Sequence, residues 1–141
     1  GYYKVPIIFY APGMPELRGL DREKIAEQID IMPTVLGLLG YDQPYVAFGQ
    51  DIFHTSAADK YAVNYLPASD VYQFLKGDYL IQFDGTSVTH AYRFRTDALM
   101  QDDVKQTMPQ DTLQMMENQL KSIIQQYMKR MSSNELVYRG R

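Results

Sequence analysis

Val5-Pro6-Ile7-Ile8-Phe9-Tyr10-Ala11-Pro12-Gly13 is apolar almost without a break. Such a run predicts a strand buried on both faces, as in a parallel sheet covered by helices. Pro12-Gly13 and Pro15 end it. The next apolar block is Gln28-Ile29-Asp30-Ile31-Met32-Pro33-Thr34-Val35-Leu36-Gly37-Leu38-Leu39-Gly40, and it reads as a helix. Asp30 is placed as its N-cap, where a carboxylate accepts from free backbone N–H groups at the positive helix end. Pro33 falls in the first turn, where its missing N–H costs little. Gly40 is the natural residue just past the C-terminus. Ile31, Val35, Leu36, Leu38 and Leu39 point nearly all round, which predicts a buried helix. Residues 14–23 read as an irregular loop, Lys24 to Ile29 as a short strand or a helical turn, and residues 41–59 as a connecting loop.

The character changes near residue 60. Tyr61, Val63 and Tyr65 alternate with Ala62, Asn64 and Leu66, which predicts a strand. Val71 to Leu75 gives a second, turning at Lys76-Gly77-Asp78. Tyr79 to Phe83 gives a third, followed by Asp84-Gly85, a two-residue hairpin signal. Val88, His90, Tyr92 and Phe94 share one face of a fourth. The pattern is an antiparallel meander of about four strands. Pro109 begins a last helix, along which Leu113, Met116, Leu120, Ile123, Ile124, Tyr127 and Met131 recur at spacings of three and four. That helix ends near Ser132-Ser133-Asn134 and covers one face of the meander. Residues 1–55 thus read as the end of an α/β layer, and residues 56–141 as a small α+β unit. One parallel-type strand and one helix make no sheet by themselves. Their neighbours come from the rest of a larger protein or from a second copy, and an uncovered strand edge favours self-association.

The totals set limits. The chain has 141 residues, 45% of them hydrophobic, so a real core is within reach. Its net charge of -3 gives no basic footprint for nucleic acid. It has no cysteine, which excludes disulfides, thiol catalysis and cysteine-bound zinc. No apolar stretch reaches the ~20 residues that span a bilayer. Gly1 stands directly before Tyr2-Tyr3-Lys4 with no Met, which is expected of a chain cut from a longer one.

Residues able to carry chemistry are few. Of the two histidines, His54 lies three residues after Asp51, close enough to share a metal on a helical turn. A structural site needs about four ordered ligands, however, and a polar loop with a surface histidine is the simpler reading. His90 reads as a partly packed strand residue. Asp102-Asp103 is a solvated pair, and helix capping accounts for Asp30. No nucleophile elbow and no glycine-rich phosphate loop is present. Tyr61, Tyr65, Tyr72, Tyr79, Tyr92 and Tyr127 suit half-buried packing. The rival is a sugar-stacking surface with Lys76, Arg93 and Arg95 beside it, which would make the chain an envelope-carbohydrate-binding or interaction module. An independent small enzyme using His54 or His90 is a third reading.

Residues 5–53 resemble the late part of the sulfatases and of the lipoteichoic-acid-synthase-like phosphoglycerol transferases of the alkaline phosphatase superfamily. There a buried strand like Val5–Pro12 leads through a loop to Asp-x-x-Pro-Thr on a buried helix that ends at Leu-Gly. Here these are Asp30, Pro33, Thr34, Leu39 and Gly40. A loop element like Phe48-Gly49-Gln50-Asp51-Ile52 follows. Beyond it the likeness is loose, resting on element order and on stretches such as Tyr72-Gln73-Phe74-Leu75-Lys76-Gly77-Asp78. The resemblance implies the end of an alkaline-phosphatase-like α/β domain followed by a small C-terminal subdomain. It implies a parent enzyme that attacks sulfate or phosphate esters with a hydroxyl or formylglycine nucleophile. One or two divalent cations (Mn, Mg, Ca or Zn) assist that chemistry. It also implies a parent that acts outside the cytoplasmic membrane and is anchored there through a part preceding this chain. The family's nucleophile and its metal-binding Asp-His pair come before the strand at Val5. No catalytic residue, metal ligand or cofactor is therefore carried onto this chain, and Thr34 belongs to the helix-start pattern. The implied partner is the remainder of the parent's catalytic domain.

Overall fold

The computed structural model describes residues 5–140; Gly1 to Lys4 and Arg141 lie outside the described residues. Four antiparallel strands form one sheet in chain order: β1 (Tyr61–Leu66), β2 (Val71–Lys76), β3 (Tyr79–Phe83) and β4 (Val88–Tyr92). Helix α1 (Ile31–Leu38) precedes the sheet and helix α2 (Gln110–Ser132) follows it. The chain is thus mixed α/β, with an antiparallel meander closed by a C-terminal helix.

Alternation along the strands gives the sheet two different faces. Val63, Phe74, Ile81 and Ala91 are successive cross-strand partners, so their side chains lie in one row on one face. Met116 and Leu120 of α2 cover that row, and Phe74, Ile81, Met116 and Leu120 are fully buried. The spacing of Leu113, Met116, Leu120, Ile123 and Ile124 makes the apolar stripe that seats the helix. Asn134, with φ of 54°, ends it: Glu135 N–H donates to the Arg130 carbonyl at 2.8 Å and Asn134 N–H to Met131 at 3.2 Å.

The turn after β2 falls where the sequence reading places it, while the β3–β4 connection and the faces of β4 depart from that reading. The tight turn is Gly77-Asp78, where Lys76 pairs with Tyr79 and Gly77 takes φ of 58°. Asp84-Gly85 instead opens a four-residue loop. There the Asp84 carboxylate accepts from Thr86 N–H at 2.8 Å and Ser87 N–H at 2.9 Å, a side-chain bond that takes the place of a two-residue turn. Nor do Val88, His90 and Tyr92 share a face. Phe83 pairs with Val88 and Gln82 with His90, so Thr89 is an extra residue and the strand bulges. Val88 therefore enters the core while His90 and Tyr92 face the opposite way.

The first 55 residues depart further. Val5–Tyr10 forms no strand and pairs with none of the four strands of the sheet. Ile8 is 82% and Tyr10 88% exposed, while Phe9 packs edge-on against Phe53 at 5.4 Å. Residues 24–27 are irregular and Gln28–Asp30 is a single 3₁₀ turn leading into α1. Helix α1 is not buried: Ile31, Met32, Val35 and Leu39 are exposed, and only Pro33 and Thr34 are inside. One flank of the helix is covered and the rest has no described neighbour. Its C-terminus follows the sequence reading, since Gly40 at φ of 64° lets Tyr41 N–H reach the Leu36 carbonyl at 2.9 Å. No described helix is long and apolar enough to cross a membrane.

Candidate functional site

The covered flank of α1 carries the densest polar constellation. Asp30, expected to cap α1, bonds elsewhere. It is 1% exposed. Its carboxylate accepts from Glu27 N–H at 3.0 Å and, across the chain, from Gln50 N–H at 2.6 Å. Thr34 lies one turn on. Its hydroxyl donates to the Asp30 carbonyl at 2.6 Å and accepts from Ile52 N–H at 2.9 Å. Asp30 and Thr34 thus hold the 49–52 loop against the helix by alternate backbone groups. Gly49 is required there, since a β-carbon would run into the Ile29 carbonyl.

The loop then presents Asp51 and His54. One oxygen of Asp51 accepts from Phe53 N–H at 2.8 Å and His54 N–H at 3.1 Å; the other meets His54 Nδ1 at 2.7 Å. Burial pushes the Asp51 carboxyl up, but the His54 ring and the two N–H groups outweigh it and hold it below the usual range. Gly37 makes room, because a β-carbon there would overlap the Asp51 carboxylate. Lys60 is 2% exposed. It donates through Nζ to the Asp51 carbonyl at 2.5 Å. Burial lowers it against the pull of Asp30 and Asp51.

A second tier ties this clasp to the sheet. Gln50 Oε1 accepts from Tyr61 N–H at 3.2 Å and Glu27 Oε1 from Val63 N–H at 3.2 Å. Both N–H groups lie on the outer edge of β1, so two side chains occupy that edge where another strand would pair. At the far edge Asp103 Oδ1 accepts from Ala91 N–H at 3.1 Å, and Val104 N–H reaches the Ala91 carbonyl at 2.8 Å. Asp103 of the Asp102-Asp103 pair is therefore a sheet-edge cap. Burial, with the Asp30 charge beside it, raises Glu27 to about 7 against the Val63 bond.

Chemically, Asp51 orients the His54 ring and leaves its Nε2 in solvent, the side chain being 68% exposed. That is the arrangement of a positioned base. However, no hydroxyl is hydrogen-bonded to the ring among the described residues, and none of them forms a group of three or more acidic or histidine side chains able to hold a metal ion. His90 stands apart, stacked on Tyr92 at 6.2 Å.

The tyrosines do not form one platform. Tyr61, Tyr65, Tyr72 and Tyr79 lie on the α2 side of the sheet, with Tyr65 and Tyr72 rings 4.9 Å apart. Tyr92 faces the other way, and Tyr127 on α2 packs on Phe48 at 5.1 Å. Arg95 is taken by Glu23 at 2.8 Å and Asp78 at 3.2 Å, and Arg93 lies over the Tyr79 ring. These cations and Lys76 therefore make no joint anion site. Glu27 and Lys60, which complete the clasp, have no periodicity or motif to announce them, and Gln50 stands in the Phe48–Ile52 element with no role assigned to it.

Comparison of the chain with protein-family models, with curated proteins and with solved structures finds no match.

Proposed function

We propose that this chain is the C-terminal, non-catalytic part of an extracytoplasmic, metal-dependent sulfatase or phosphoglycerol transferase. In this reading residues 5–55 complete the α/β layer of the parent's catalytic domain, and the sheet with α2 closes it as a smaller subdomain. The supporting observation is the clasp. Asp30-x-x-Pro33-Thr34 and Phe48-Gly49-Gln50-Asp51-Ile52, the two segments that carry the family resemblance, are two halves of one hydrogen-bonded unit. The likeness in sequence thus has a physical reason at both ends. The exposed apolar side chains of Val5, Ile8 and Tyr10 and of α1 are what a seat in a larger layer requires.

The test has two arms. The gene ahead of Gly1 should encode a hydroxyl nucleophile and an Asp-His metal pair. The purified chain should show no Mn²⁺-dependent turnover of 4-nitrophenyl sulfate or of a glycerophosphate ester. Turnover by clean protein, or an upstream region without the pair, refutes the proposal.

A further inference from the structure

The sheet face turned away from α2 carries a second feature, independent of any ester-cleaving parent. Asn64, Gln73, Gln82 and His90 are successive cross-strand partners, so they stand in a row across all four strands. Beside them runs the apolar row Ala62, Leu75, Leu80 and Tyr92. A cleft of about 870 Å³ is lined by Asn64, Gln73, Leu75 and Leu80 of this face together with the segment 22–29. That is the size range of small-molecule sites.

Gln73 decides what the cleft suits. It is 4% exposed, yet its side-chain amide has no hydrogen-bond partner among the described residues. Every fully sealed side-chain polar atom among the described residues is paired, so the Gln73 amide keeps its small exposure toward the cleft. Asn64 and Gln82 likewise make no side-chain hydrogen bonds there.

The geometry points to this cleft as a binding site for a neutral glycan. The Asn64 and Gln73 amides in the cleft offer donors and acceptors in equal measure, which hydroxyl groups complement and an alkyl chain does not. The neighbouring apolar row fits the C–H face of a sugar ring. Charge gives no net preference for an anion: Arg22, Lys24 and Arg95 line the cleft together with Glu23, Glu27 and Asp97, and Arg95 is held by Glu23 and Asp78. A β-strand ligand would need a sheet edge, and the edges are occupied at Tyr61, Val63 and Ala91.

The experiment is an NMR titration of the full chain with cellotetraose, maltotetraose and chitotetraose. At least one should saturate, with shifts centred on the Asn64 and Gln73 side-chain amides and on Leu75 and Leu80. Gln73→Met, which keeps length and removes the amide, should weaken that binding about tenfold. If Gln73→Met does not fold, Asn64→Ala at the exposed end serves, with a loss of at least threefold expected. No shifts from any of the three, shifts mapping to the α2 side, unchanged affinity in the folded variant, or binding of a sulfated tetrasaccharide in preference to all three overturns the proposal.

Discussion

Thr34 uses both functions of its hydroxyl, donating to Asp30 and accepting from Ile52. Thr34→Val keeps the shape but strands the Ile52 N–H inside, and should cost about 1–3 kcal/mol. Thr34→Ser should recover most of that loss, as read from urea midpoints. Glu27 gives a pH signature. Its folded value of about 7 stands above the ordinary 4.5, so between those limits the folded chain holds a proton that the unfolded chain has released. The contribution is present below pH 4.5 and is lost as pH rises through about 7. Asp21, Asp51, Asp84, Asp97 and Asp103 are lowered from 3.8. Their contribution is lost only under more acid conditions. The urea midpoint should therefore be higher at pH 5 than at pH 8, and Glu27→Gln should flatten that difference. Sequence marked Asp30 and Thr34 through their motif but misjudged the bonds of Asp30. A capping residue and a clasp residue have the same identity, and the partner of Asp30 lies 20 residues away.

At the scale of elements, each strand and each of the two helices was legible because period-2 and period-3.6 patterns are local. The β4 bulge was not. A single extra residue leaves alternation intact on either side of Thr89, and only the pairing with Gln82 and Phe83 shows where the phase slips. Burial of α1 was misjudged for a related reason: an apolar helix records what it is suited to touch, not what is beside it. Phe74→Ala should cost about 3–5 kcal/mol, as removal of a fully enclosed ring does. Leu39→Ser, at a side chain 74% exposed, should stay within about 0.5 kcal/mol. Equilibrium unfolding of the two variants checks the contrast; equal losses would mean that α1 has a cover in solution.

In the molecule as a whole, residues 5–55 and the sheet are joined by specific bonds. The clasp reaches β1 through Gln50 and Glu27, Phe48 packs edge-on against Tyr127 of α2, and Arg95 ties β4's exit to Glu23. Sequence suggested a division near residue 55, since composition shifts there; the bonds that cross it involve lone side chains without pattern. The Asn64–His90 row was hidden for the same reason, as its members come from four strands and meet only through register. Lys60 extends the point to the laboratory bench. Among the described lysines it alone is buried, its ammonium spent on the Asp51 carbonyl. Acylating reagents should leave it untouched while tagging Lys24, Lys121 and Lys129, so mass-spectrometric labelling at this one amine would count, molecule by molecule, how often the chain comes apart.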